Sequence, residues 1–178
     1  ALPISRGEVE LCAGMAAVHR QLRGGSAAAG TTVLRLAISD ASPGGYGLET
    51  REPLPDGLQA GELLALRRPG TLRWQLAVTR WRAPGDPVSR LGVELLSPRA
   101  EAAAARREDD AEDATVKWSP VLVVREIAAL RRPAALVVPR GRFRSGWTLV
   151  LTRPGGAATV RVGRARSFTE SYEEFRFT

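Results

Sequence analysis

One cysteine, one histidine, one lysine and one methionine are all that this chain of 178 residues holds of those four types. Cys12 alone cannot close an internal disulfide, and Cys12 with His19 falls short of the four ligands of a structural zinc site. Both lie in GEVELCAGMAAVHRQLRGG, where Cys12 reads as a small buried hydrophobe and His19 as a helix residue, rather than as a nucleophile with its base. Long apolar runs are missing as well. No stretch approaches the roughly 18 residues that span a bilayer, and the opening ALPISRGEVE has neither the basic leader nor the apolar core of a signal peptide. A cytoplasmic protein without a membrane segment is expected. The chain opens without Met, which leads to the expectation of processing or of a longer parent protein.

What is abundant is arginine. A net charge of +7 would ordinarily raise nucleic acid or an anionic membrane as partners. All but one of the 26 basic residues are arginine, however, and with so much Ala, Gly and Pro that bias fits a GC-rich genome. The segments PRGRFRSGW and VRVGRAR could in principle follow a single-stranded backbone, with Phe143 and Trp147 stacking bases. A polar strand face is the plainer reading, and nucleic acid is not the expected partner. The carboxylates are too numerous and scattered to single out an acid and base pair. No enzymatic activity, metal or cofactor is expected.

Three regions follow one another along the chain. Residues 1–30 form a lead-in: EVELC alternates like a strand, and Met15, Val18 and Leu22 mark a short helix stopped by Gly24 and Gly25. From 31 to 100 the pattern is β throughout, in VLRLAI, GYGLE, ELLALRR, RWQLAVTRW and RLGVELL, joined by Gly/Pro turns such as APGDPVS. In RWQLAVTRW, Trp74, Leu76 and Val78 fall on one face and Arg73, Gln75 and Thr79 on the other. Residues 101–118 have no aliphatic larger than Ala until Val116 and hold the acidic block Glu108, Asp109, Asp110, Glu112 and Asp113, which predicts an exposed helix fraying into a linker. From 119 to 178 the β pattern resumes, with Pro154-Gly155-Gly156 as a hairpin turn. The chain therefore reads as all-β and mainly antiparallel, a small barrel followed by a second small barrel-like unit, with no clear sequence repeat between them.

The decapeptide DASPGGYGLE, residues 40–49, concentrates a carboxylate, a hydroxyl, a proline and three glycines between two aliphatic runs. Asp and Ser can satisfy local backbone N–H groups, Pro43 fixes its φ, and the glycines allow tight turning or close approach of another molecule. By themselves these residues describe a hairpin turn before they describe a binding site. They complete neither a dinucleotide fingerprint nor a phosphate-binding loop, since G-x-G is followed by Leu, Glu and Thr and no Gly-Lys-Ser/Thr occurs.

Asp40-Ala41-Ser42-Pro43-Gly44-Gly45 nevertheless matches the D/N-x-S-x-x-G motif, and LQAGELLAL, WQLAVTRW and LGVELLSPRA follow in order. In this the chain resembles the PilZ domain family over residues 31–97, in a branch that carries a further β region after the barrel. The resemblance implies a six-stranded barrel that receives cyclic di-GMP, with Asp40, Ser42 and Gly45 meeting a guanine. It further implies an R-x-x-x-R pair that grips phosphates just before the barrel. Here HRQLR offers Arg20 and Arg23 at R-x-x-R, one residue too close, or His19 and Arg23 at the family spacing. Arg20 and Arg23 are the candidate clamp; a solvated helix face is their structural alternative, with the arginine motif then expected upstream of Ala1 or lost. The expected role is that of a non-catalytic signalling module. Its partners would be cyclic di-GMP and a protein of a signalling or motility system, the latter alone if the barrel has lost its nucleotide.

Overall fold

The structure is a computed structural model that describes residues 7–24, 31–110 and 112–178. Two closed six-stranded antiparallel barrels make up the molecule. The first uses β1 (Glu8–Ala13), β2 (Leu34–Ser42), β3 (Gly45–Thr50), β4 (Leu63–Arg67), β5 (Gln75–Ala83) and β6 (Ser89–Ser97). The second uses β7 (Ala100–Arg107), β8 (Ser119–Val124), β9 (Ala135–Pro139), β10 (Thr148–Arg153), β11 (Gly156–Phe168) and β12 (Tyr172–Phe177). Among the described residues one α-helix, α1 (Met15–Leu22), is present, directly after β1. Closure leaves neither sheet with an unpaired edge.

Alternation explains the barrel interiors. Val9 and Leu11 of β1, Leu36 and Ile38 of β2, Leu64 and Leu66 of β4, and Leu91 and Val93 of β6 fill the first. Val121 and Val123, Leu136 and Val138, Leu149 and Leu151, and Val160 and Val162 fill the second, with Phe143 from the β9–β10 loop. Four strands are apolar on both faces, and this is the signature of a second contact. Leu63 and Ala65 of β4, Leu76 and Val78 of β5, Leu122 and Val124 of β8, and Ala135 and Val137 of β9 point out of their barrels. Together with Cys12, Val18, Trp74 and Tyr172 they form one shared core between the barrels. Burial there pushes the Cys12 thiol up to about 11, so it stays protonated and behaves as the small hydrophobe expected.

Polar links tie the same junction. The Thr169 hydroxyl donates to the Gly61 carbonyl at 2.7 Å, the Ser171 hydroxyl to Glu62 at 3.1 Å, and the Arg132 guanidinium to the Leu96 carbonyl at 3.1 Å. The His19 ring, on α1, meets the Ala103 carbonyl of β7 at 2.7 Å through Nε2, which donates there. Burial lowers the His19 pKa from the ordinary 6.5; the Ala103 bond opposes the shift and Arg23 adds to it. A group depressed in the folded state favours unfolding once protonated. Its contribution is complete above about pH 6.5 and is lost as the pH falls through the folded value. Melting temperature should therefore decline from pH 7 to 5 more steeply in the wild type than in His19→Gln, and parallel curves would refute the buried neutral ring.

Three sequence expectations need correction. The expected lead-in over 1–30 does not precede the barrel as a separate region: its strand β1 belongs to the barrel, pairing with both β2 and β4, with Glu10 bridging to Arg35 and Arg67 at 3.1 and 3.0 Å. Gly25, the second expected helix stop, lies outside the described residues; Gly24 has a φ of 74°. The linker over 101–118 is not one: residues 100–107 form β7, hydrogen-bonded to β8 and β10, with Ala102, Ala103 and Ala105 buried. Only the acidic block, starting with a 3₁₀ turn at Glu108–Asp110, connects strands. The second unit thus starts near residue 100 rather than at 119. Thr79, placed on a polar face, is fully buried, because Leu76 and Val78 face the junction and the opposite side of β5, carrying Ala77 and Thr79, turns into the barrel.

The two barrels also share a connectivity that the sequence hides. In each, the first strand pairs with the second and fourth, the third with the second and sixth, and the fifth with the fourth and sixth.

Candidate functional site

The decapeptide forms the β2–β3 hairpin. Ser42 pairs with Gly45 across the two-residue turn Pro43-Gly44, and a bulge between Ile38 and Asp40 precedes it. The Ser42 hydroxyl faces the Gly45 carbonyl at 3.5 Å, and the Gly44 carbonyl accepts from the Leu95 N–H of β6 at 2.8 Å. Asp40 and Ser42 are exposed, while Gly45 is buried beneath β6. A Cβ at Gly45 would overlap the Val93 carbonyl oxygen, so no other residue fits this register. Gly47 is less tightly held: a Cβ there would meet Ser39 Oγ at 3.2 Å and Asp40 Cβ at 3.3 Å.

These residues line an open concavity of about 280 Å³ together with Arg80, Trp81, Gly92 and Val93. Trp81 is the functional candidate that sequence reasoning missed. Its indole lies across Gly92, directly opposite in the β5–β6 ladder, and any Cβ at Gly92 would collide with the ring. The register shift after Thr79 turns Trp81 outward, leaving it 48% exposed beside the turn. A tryptophan facing a glycine across two strands was the available signal. Arg80 is engaged by an ion pair with Glu94. The concavity thus offers a carboxylate, a hydroxyl, an aromatic face and close backbone, a set suited to a flat, hydrogen-bonding heterocycle. Among the described residues no cluster of His, Cys, Asp or Glu could hold a metal ion.

Asp40, Ser42 and Gly45 come together; Arg20 and Arg23 do not join them. β1 runs antiparallel to β2 with Leu11 opposite Leu34, so α1 departs from the barrel end where β2 begins. Asp40 lies six residues farther along β2, roughly 20 Å away at the usual strand rise. Both arginines are exposed on a helix that packs against β1, β4, β7 and β8. In the arginine and aromatic segments of the second barrel the arginines Arg140, Arg142, Arg144, Arg161, Arg164 and Arg166 lie exposed, but the aromatics are covered by the fold or by arginines rather than free to stack. Phe143 is buried, and Arg107 lies over Trp147 at 4.6 Å, Arg106 over Trp118 at 4.5 Å and Arg140 over Phe168 at 4.4 Å.

Fold and hairpin define a tandem β-barrel protein whose first barrel carries a D-x-S-x-x-G turn beside an open concavity. Residues 26–102 match the family described as the middle PilZ domain of the cyclic-di-GMP receptor FimW, and residues 103–178 match the FimW C-terminal β-barrel domain. The chain belongs to the PilZ domain family, in the branch where a second β-barrel follows the first. It is similar to the cyclic-di-GMP receptor FimW of Pseudomonas aeruginosa, with 30% identity over 143 residues, or 80% of this chain. It spans 23% of that relative's length. No solved structure matches the chain significantly. No helix among the described residues is long and apolar enough to cross a membrane.

Proposed function

We propose that this chain is a non-catalytic, cytoplasmic receptor module that binds cyclic di-GMP at the β2–β3 turn of its first barrel. The observation that carries the reading is the convergence of Asp40, Ser42, Gly45 and the exposed Trp81 on one concavity in a chain similar to a receptor of that nucleotide. Guanine presents an N1–H and exocyclic amine edge that the Asp40 carboxylate can accept from, while Ser42 can donate or accept. Indole provides a face for the purine ring. The backbone at Gly45 keeps β6 close enough to hold this arrangement.

Arg20 and Arg23 would join this site only if α1 moved, so the clamp on the phosphates is the weak part of the motif here. That separation favours a second reading, in which the barrel has lost the nucleotide and recognises a protein of a signalling or motility system. Calorimetry with cyclic di-GMP separates the two. If the nucleotide binds, Asp40→Ala should weaken it by about 1–3 kcal/mol, because a buried guanine edge loses its acceptor. Arg23→Ala should leave affinity unchanged if α1 stays docked. Undetectable binding by the wild-type chain would leave the protein-recognition reading standing.

A further inference from the structure

Another concavity lies at the junction of the barrels, and the motif turn contributes nothing to it. It measures about 430 Å³ and is lined by Gln21 of α1, Arg73 and Trp74 before β5, Arg99 between β6 and β7, and Arg125 after β8. Three arginines from three separate connecting segments of the two barrels thus line it. Such a gathering of like charge is unfavourable unless something negative answers it. Glu101 is the acid in the lining, and it is shared between Arg125 and Arg153 at 3.6 and 3.8 Å. The Arg73 and Arg99 side chains have no ion pair or hydrogen bond among the described residues. Gln21 is 95% buried by its 5% relative exposure, yet its Nε2 has no acceptor there either. The site is rich in donors that lack partners.

The geometry points to a binding site for a phosphate group at this junction, held by Arg73, Arg99 and Arg125 and bridging the two barrels. A phosphate dianion presents oxygens in several directions and can accept from forks arriving from separate loops. A carboxylate has two oxygens in one plane and is satisfied by one fork. Because the arginines belong to both barrels, occupancy would favour the docked arrangement over any loosened one. This goes beyond the nucleotide reading and does not depend on it.

The test titrates inorganic phosphate into the whole chain at constant ionic strength, following the Trp74 indole N–H by NMR and the melting temperature. Saturable movement of the Trp74 signal and a rise in melting temperature are expected, neither being reproduced by acetate or chloride. Arg73→Ala and Arg99→Ala should each weaken phosphate binding about tenfold or more, since each removes a charge-assisted bond. Asp40→Ala should leave it unchanged, which keeps this result apart from the fate of the β2–β3 site. Wild-type melting without phosphate checks that each variant is folded; both arginines are exposed, so it should be. Equal responses to chloride, retention of binding in the Arg73→Ala, Arg99→Ala double variant, or movement of the Trp81 signal alone would each overturn the proposal.

Discussion

Gly45→Ala is expected to cost about 3 kcal/mol of stability, whereas Gly44→Ala, one residue away, should cost almost nothing. The added methyl at position 45 meets the Val93 carbonyl oxygen, and both groups belong to the backbones of paired strands, since Tyr46 is registered with Val93. Neither side can yield by changing a rotamer. The overlap is relieved only by parting β3 from β6, which breaks ladder bonds and opens the core under Leu48 and Leu91; overpacking without room to relax lies at the upper end of the 1–3 kcal/mol range. At Gly44 nothing lies within 4 Å of a Cβ, and its φ is not in the left-handed region. Urea denaturation of both variants supplies the comparison. A Gly45→Ala protein within about 0.5 kcal/mol of wild type, the usual scatter of surface changes, would mean the register is wrong. The motif glycine is therefore required by the fold before any ligand is considered, and loss of binding in this variant would by itself say nothing about contact with a nucleotide.

Leu122→Ala should destabilise the first barrel as much as the second, although Leu122 belongs to β8. Its side chain is fully buried outside its own barrel, in the core shared with Cys12, Leu63, Leu76 and Trp74. Truncation removes buried methyl groups and leaves a cavity between two rigid sheets that cannot collapse around it, a loss of about 2–5 kcal/mol. If the shared core couples the barrels, the chain unfolds in one transition, and hydrogen exchange in β3 and in β10 should accelerate together. Leu151→Ala, inside the second barrel, serves as the control for ordinary core loss. Faster exchange confined to β10 in Leu122→Ala would show that the barrels fold independently and touch without coupling.

The turn at 40–45 was legible because its requirements are local. Asp, Ser and Pro act on their own backbone, and a hairpin needs only the strands on either side. The strands that fill barrel interiors were legible too, since alternation with a period of two records a single buried face. Even the junction left a trace. PVLVV, PAALVVP and ELLAL are apolar at consecutive positions, which is what a strand covered on both sides requires. That trace did not say what covers them.

Tertiary structure decided the rest. AEAAAARR has poor intrinsic strand preference and no large side chain, so nothing local makes it β. It becomes β7 because a six-stranded sheet must close. β8 and β10 offer it hydrogen bonds on both edges, and alanines let α1 approach closely enough for His19 to reach the Ala103 carbonyl. Trp81 turned outward through a register shift that depends on its partner strand, and Thr79 went inside because the second barrel covers the opposite face of β5. The common connectivity of the barrels is invisible in the sequence because pairing order constrains which backbones meet, not which side chains they carry. Composition and period, set residue by residue, specified an all-β chain with one conspicuous turn. Only closure and docking, which couple residues far apart in sequence, could gather three arginines at the junction and leave Arg20 and Arg23 at the far end of the barrel from Asp40.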